Sequence, residues 1–248
     1  MKDEALDFLY SRPDADLNDL VRLILDQEIT EGLSTTDAYI ENAPFHSRYV
    51  SEIINEIQTY GGNTIANIFR GGDGVYYREI VCDVADVLKV NYNKNASVEC
   101  IETYIIQKLW NDAIEKMTPE QRMKCFNDLG LKNCNLPIGE ALNSAAIVAF
   151  RLGGFASYKI ALIVVNSVWK FLFGKGLSLA ANSAFAKALS IWAGPIGWAL
   201  TAITTVIDVA GPAYRVTIPA VLTIIMLRQK AKFESNASAY QDFFKSAV

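Results

Sequence analysis

The chain holds a single histidine, His46, just after Pro44-Phe45. One imidazole rules out a two-histidine metal site and leaves a Cys–His nucleophile unsupported, so His46 reads as structural or incidental. Cys82, Cys100, Cys125 and Cys134 are widely spaced and form no Cys-x-x-Cys pair. They lack zinc-ligand spacing and read as buried, reduced thiols. The glycine groups fail the test for phosphate loops. Gly71-Gly72-Asp73-Gly74 does not match G-x-G-x-x-G, and Gly174-Lys175-Gly176 lacks the earlier glycine and the Ser/Thr of a P-loop. Both read as helix stops. Asp83, Asp86, Glu99 and Glu102 sit at helical positions that match solvated faces, and no spacing selects a catalytic carboxylate pair. The expectation is a non-enzyme with no catalytic site, cofactor or metal.

A different pair of charges stands out by isolation. Ala188 to Ile207 is free of charge, Asp208 follows, and Val209 to Leu227 is interrupted only by Arg215. Twenty uncharged residues are long enough to cross a bilayer as a helix. Gly194, Pro195, Gly197 and several hydroxyl residues distinguish the run from an ordinary Leu/Ile/Val-rich anchor, so it reads as a buried core or a membrane hairpin. Ala193 and Gly197 form a small-x-x-x-small pair that suits close helix approach. Asp208 and Arg215 lie two helical turns apart and are expected to pair, because an unpaired buried charge is expensive. Gly211-Pro212 between them can break that helix and let them meet across a turn. The residues assigned to the hairpin and its membrane contact are Lys187, Trp192, Gly194, Pro195, Gly197, Trp198, Asp208, Arg215 and Pro219.

Length and charge bound the reading further. The 248 residues suit one large or two small domains, with 51% hydrophobic content and a mean hydropathy of +0.17. The net charge of −4 conceals a division. Residues 1–140 carry 13 Lys+Arg against 24 Asp+Glu, and residues 141–248 carry 10 against 3. A basic, apolar part behind an acidic one fits a segment drawn to anionic lipid. The start, MKDEALDFLY, is acidic and lacks the basic region and apolar core of a signal peptide. A cytoplasmic protein at or in the inner membrane is expected. A protein partner is expected too, an oligomer is allowed, and no nucleic-acid partner is foreseen.

The elements follow from periodicity and punctuation. Ala5–Tyr10 gives one apolar turn, broken by Ser11-Arg12-Pro13. Asp14 or Asp16 can cap a helix bearing Leu17, Leu20, Val21, Ile24 and Leu25 on one face. Residues 30–44 are polar and turn-rich and read as a linker. Val50, Ile53, Ile54 and Ile57 mark a helix ended by Gly61-Gly62, and a short helix runs from Thr64 to Arg70. Tyr77, Ile80, Val81, Val84 and Leu88 mark the next. Ser97 can cap a helix striped by Val98, Ile101, Ile105, Leu109 and Ala113, and Thr118-Pro119-Glu120-Gln121 reads as a capping box. No run alternates with period two. The fold class is all-α, with an N-terminal bundle of short helices and an apolar C-terminal helical hairpin region. The divisions are 1–30, a small helical module; 45–137, an acidic helical domain; 138–232, an apolar basic region with its hairpin at 188–227; and 233–248, a polar tail. Within the apolar region Ile160–Trp169 is too short to span a bilayer alone, and its flanking Lys159 and Lys170 can snorkel.

Residues 60–90, YGGNTIANIFRGGDGVYYREIVCDVADVLKV, and 211–229, GPAYRVTIPAVLTIIMLRQ, resemble the bacterial YaaW family, which is grouped with ubiquinol–cytochrome c chaperone-like proteins. The start, ALDFLYSRPDADLNDLVRLIL, is similar to the same family's small N-terminal module. Gly61, Gly62, Ala66, Asn67, Arg70, Gly71, Tyr77 and Arg78 match the first block; Tyr214, Arg215, Thr217, Pro219 and Leu227 match the second. The resemblance implies a helical, non-enzymatic bacterial protein that helps assemble or hold a membrane protein, and it carries over no catalytic residues. Arg70 and Arg78 are the polar matches assigned to partner contact. Two rivals remain beside this adaptor: a pore-forming or membrane-disrupting effector whose hairpin is shielded until triggered, and a soluble enzyme with an apolar core.

Overall fold

A computed structural model of the chain describes residues 2–26, 32–62, 74–128, 138–152, 154–181 and 214–246. Helices α1 (Asp14–Asp26), α2 (Asp37–Asn42), α3 (Val50–Gly62), α4 (Tyr77–Val87) and α5 (Val98–Lys116) come first, preceded by a 3-10 helix, Glu4–Ser11. Then come α6 (Pro119–Asp128), α7 (Ile138–Leu152), α8 (Phe155–Phe173), the short α9 (Ser178–Ala181) and the long α10 (Tyr214–Ser246). The fold is all-α, with no strand among the described residues.

Local chemistry sets the ends. The Ser97 hydroxyl accepts from the Cys100 amide at 3.3 Å and starts α5. At α6 the capping box closes both ways: Gln121 N donates to Thr118 Oγ1 at 3.3 Å, and Thr118 N donates to Gln121 Oε1 at 2.9 Å. Gly174 ends α8 with φ +69°, a left-handed turn that a side chain would strain, and its N–H returns to the Lys170 carbonyl at 3.0 Å. Two expectations change. The stretch 30–44 contains α2, because Thr36 Oγ1 accepts from Tyr39 N at 3.2 Å and gives the helix a start. Asp14 does not serve α1 as its cap; its carboxylate takes the Ser47 amide at 2.7 Å and ties α1 to the chain before α3.

One helix organises the rest. From Val216 to Gln229 every residue of α10 is buried, the pattern of a helix that is surrounded on all sides. It packs against α1, α3, α4, α5 and α8. Helix α8, buried from Ser157 to Trp169 apart from Lys159, is its principal neighbour. Trp169 Nε1 donates to Thr223 Oγ1 at 3.0 Å, while Ser157 Oγ donates to Gln229 Oε1 at the far end, so the two run antiparallel. Leu6, Trp110, Trp169 and Leu227 belong to one buried cluster, which the acidic and basic parts of the chain share. Helices α3 and α4 approach closely at Gly61, where a Cβ would meet Ile80 Cγ1 at 2.3 Å.

The described part of the apolar C-terminal stretch, Val216 to Leu227, is therefore core. Lys187, Trp192, Gly194, Pro195, Gly197, Trp198 and Asp208 lie outside the described residues, as does any Asp208–Arg215 pair. Among the described residues α8 alone is long and apolar enough to cross a membrane, with mean hydropathy 1.3 and 67% of its apolar window buried. The sequence beyond Leu227 begins as more core than tail, since Arg228 and Gln229 are 7% and 4% exposed and α10 continues to Ser246.

Candidate functional site

Five segments distant in sequence converge on a buried polar cluster around Glu102. This residue lies one position past Ile101 on α5, on the same face as Ile105, Ile106 and Leu109, and is fully buried. A carboxylate there needs donors from elsewhere. Arg228 on α10 supplies two, Nε to Oε2 at 2.8 Å and Nη2 to Oε1 at 3.3 Å, and Tyr77 Oη on α4 donates to Oε1 at 2.9 Å. Arg228 Nη2 also reaches the Ala5 carbonyl at 2.6 Å, and its guanidinium lies 4.3 Å from the centre of the Phe8 ring. Asp3 completes the cluster by accepting from Tyr77 N at 2.6 Å, Gln58 Nε2 at 3.3 Å and Ala5 N at 3.1 Å. Burial pushes the Glu102 carboxyl above its ordinary range, against the opposing pull of Arg228 and the Tyr77 hydroxyl. Burial likewise drives the Tyr77 phenol far up, and the neighbouring Glu102 adds to it. Glu102 is fully buried and Arg228 and Asp3 nearly so, and together they fasten the N-terminal segment, α3, α4, α5 and α10 to one another.

The cations after Arg228 continue the theme. Lys230 Nζ bonds both carboxylate oxygens of Asp16 on α1 at 2.9 Å, Lys232 reaches Glu99 at 2.6 Å, and Glu234 accepts from Arg12 at 2.6 Å. Lys175, after α8, meets Asp26 at 3.0 Å. The opposite charges of the two parts of the chain are thus matched across the fold, and these four C-terminal cations face carboxylates rather than solvent alone.

A second polar centre fixes α9. Asp19 on α1 accepts from Ser178 N at 2.9 Å and Leu179 N at 3.3 Å, standing in for a cap from within the chain's own turn. Arg22 holds Asp19 at 3.1 Å, donates to the Gly176 carbonyl at 3.1 Å and lies 4.7 Å over the Trp169 ring. Asn166 Oδ1 takes the Leu177 amide at 3.1 Å. Asn18 donates to Ser178 Oγ at 3.0 Å and turns its oxygen to His46 Nε2 at 3.3 Å. The other ring nitrogen of His46 bonds Tyr49 Oη. With an acceptor at Nε2, that nitrogen carries the proton and Nδ1 accepts from the tyrosine. Burial lowers the His46 pKa, partly offset by Asp14. The ring thus links Asn18 on α1 to Tyr49 just ahead of α3.

A UPF0174 protein of Helicobacter pylori strain J99 is 39% identical over 235 residues, covering 93% of this chain and 92% of that protein. The chain belongs to the UPF0174 family. A second UPF0174 protein of the same strain is 38% identical over 210 residues, which is 83% of this chain and all of the relative. The UPF0174 protein YaaW of Escherichia coli K12 is 29% identical over 238 residues, covering 92% of this chain. No family model and no solved structure matches.

In this UPF0174 chain the residues singled out from sequence fare differently. Arg78 donates to the carbonyls of Ala96, at 2.7 Å, and Lys94, closing the connection between α4 and α5. Arg215 is exposed in the first turn of α10, and Pro219 is buried one turn on, where its carbonyl accepts from Thr223 Oγ1 at 2.7 Å. Arg70 lies outside the described residues. Cys82 and Cys100 are free and half-buried, and no group of metal-ligating side chains forms among the described residues. Glu102 corrects the reading of a solvated face. Its position three and seven residues before Ile105 and Leu109 was the available signal, and its partner Arg228 is 126 residues away. Asp3, Asp16 and Asp19 gave no signal of their own, because their partners lie on other elements.

Proposed function

We propose that this UPF0174 protein is a non-enzymatic helical adaptor of chaperone or assembly type, working in the cytoplasm at the inner face of the bacterial membrane. It contacts anionic lipid through the apolar sequence between α9 and α10, and it holds a protein partner there. The observation that supports this reading is the division of labour along the apolar C-terminal part. Helix α8 and the first half of α10 are taken up by the core, and the sequence 182–213 between α9 and α10 contains only Lys187 and Asp208 as charged residues. It follows α9 in sequence, and the start of α9 is held by Asp19, Arg22 and Asn166. An apolar segment joined at both ends to a well-packed body suits a protein that touches a bilayer while its folded part stays in water.

Fractionation of expressing cells tests it. Recovery in the membrane pellet that survives about 1 M salt and yields to detergent is expected, because at that ionic strength surface charge contacts are screened within about 3 Å. Recovery wholly in the soluble fraction, with no binding to liposomes containing anionic lipid, would overturn the reading. The shielded-effector reading has one observation in its favour, the membrane-length helix α8 buried beneath other helices. Dye leakage from liposomes would favour it over the adaptor.

A further inference from the structure

The N-terminal segment before α1 is bound like a ligand. Glu4–Ser11 is a 3-10 helix of eight residues, although 3-10 runs beyond three or four are uncommon because their hydrogen bonds are poorly aligned. Its conformation therefore owes more to the surface beneath it than to local preference. With three residues per turn, Asp3, Leu6, Leu9 and Arg12 fall on one edge. That edge is read residue by residue. Asp3 takes the Tyr77 amide and the Gln58 side chain, while Leu6 and Leu9 are fully buried. Arg12 bonds Glu234 at 2.6 Å and lies 3.8 Å from Asp16. Arg228 adds a bond to the Ala5 carbonyl and a cation–π contact to Phe8. Opposite charges are thus met at opposite ends of an apolar floor. Along one side the segment is not sealed: an open cleft of about 270 Å³ separates Asp7 and Tyr10 from Ser51, Ile54 and Asn55 of α3. Arg12 is extended, and Pro13 leads directly into α1, its carbonyl accepting from the Asp16 amide at 2.9 Å.

We propose that the surface formed by α3, α4 and α10 is a peptide-binding groove and that Asp3–Arg12 is its built-in, releasable occupant. The groove accepts a partner segment of the same chemistry: a carboxylate, leucines three and six residues on, an aromatic between them, and a cation nine residues on. When such a segment competes, the N-terminal strap leaves and the partner takes its contacts, which makes the strap an intrasteric gate on partner binding. The inference stands apart from the membrane reading, since neither the groove nor the strap involves residues 182–213.

The test uses the full chain and a fluorescent peptide of sequence KDEALDFLYSR, residues 2–12. Leu6→Ala/Leu9→Ala loosens the strap and leaves the groove intact. The peptide is expected to bind this variant at least about tenfold more tightly than wild type, because the closed strap lowers the fraction of competent protein. A peptide with both leucines replaced by alanine should not bind this variant. Absence of binding to a folded Leu6→Ala/Leu9→Ala protein would overturn the proposal. If that variant does not fold, hydrogen exchange of the wild type decides: Glu4–Ser11 is expected to exchange as a unit through an opening that leaves α3, α4 and α10 protected. Exchange of these amides only by global unfolding would overturn it. A concentration-dependent dimer that excess peptide dissolves would identify a second copy as the occupant and overturn a foreign partner.

Discussion

Arg228 and Glu102 face each other through two hydrogen bonds, Nε to Oε2 at 2.8 Å and Nη2 to Oε1 at 3.3 Å, at the point where α10 crosses α5. Both are buried, at 7% and 0% exposure, so neither can turn to water if its partner is lost. Removing one side of such a pair leaves an uncompensated charge, at a cost of about 3–5 kcal/mol. Glu102→Gln and Arg228→Gln are each expected to lower stability by that order, and the double variant by clearly less than their sum. Urea denaturation of the four proteins measures the coupling. Additive losses would remove the pair from any central role.

The exposed pairs give the contrast. Glu99 and Lys232 meet at 2.6 Å but are 52% and 40% exposed, and Lys175 and Asp26 are similarly open. Solvent screens them, so Lys232→Ala and Lys175→Ala should each cost under about 1 kcal/mol. A loss of several kcal/mol in either would mean that the ring of surface pairs acts as a network.

Gly61 has no room for a side chain. A methyl group there would meet Ile80 Cγ1 at 2.3 Å and Cδ1 at 2.4 Å. Gly61→Ala is expected to destabilise by about 1–3 kcal/mol through overpacking. Ile80→Ala in the same chain removes the clashing atoms, so the double variant should lose less than the two single losses combined, as thermal melts would show.

Asp19 is expected to govern the start of α9. Its carboxylate satisfies the Ser178 and Leu179 amides. Asp19→Ala should cost about 1–2 kcal/mol and speed hydrogen exchange at those two amides before any other helix is affected. Unchanged exchange there would show that Arg22 and Asn166 suffice.

Acid should weaken the protein through His46 and through Glu99 and Glu234, while Glu102, whose folded pKa burial raises, acts in the opposite sense just above 4.5. Burial depresses the folded pKa of His46 below 6.5, so between that depressed value and 6.5 the unfolded chain binds more protons and stability rises with pH. The hydrogen bond from Lys232 lowers the Glu99 pKa, and for Glu234 the bonds from Lys230 and Arg12 outweigh the desolvation that opposes them. Their contribution is present above about 4.5 and is lost as pH falls through the lowered folded values. Urea midpoints measured from pH 7 downward in a Glu102→Gln background, which removes the opposing titration, should fall through both windows. His46→Gln should flatten the upper one and leave the lower unchanged.

Much of the secondary structure was legible from local signals. Ser97, the Thr118–Gln121 box and Gly174 mark their helix ends in sequence and do so in the fold. Each acts over one turn, which a sequence window contains. The linker expected at 30–44 hid α2 because a six-residue helix with no buried side chain leaves no hydrophobic period to detect. In sequence Glu102 reads as solvated because a carboxylate normally is. Its burial depends on Arg228, Tyr77 and the chain at Ala5, which no local pattern connects.

The sequence alone determined the all-α class, most helix boundaries, the charge division between the two parts of the chain and, through its relatives, the UPF0174 family. Those properties are local, or are sums over residues. The tertiary structure decided that the apolar run Val216–Leu227 is the centre of the core, and that cations after it answer carboxylates on α1 and α5. It also decided that Asp3–Arg12 packs against side chains up to 223 positions away. Burial and pairing are relations between surfaces, and a single hydrophobic helix reads the same whether lipid or protein surrounds it.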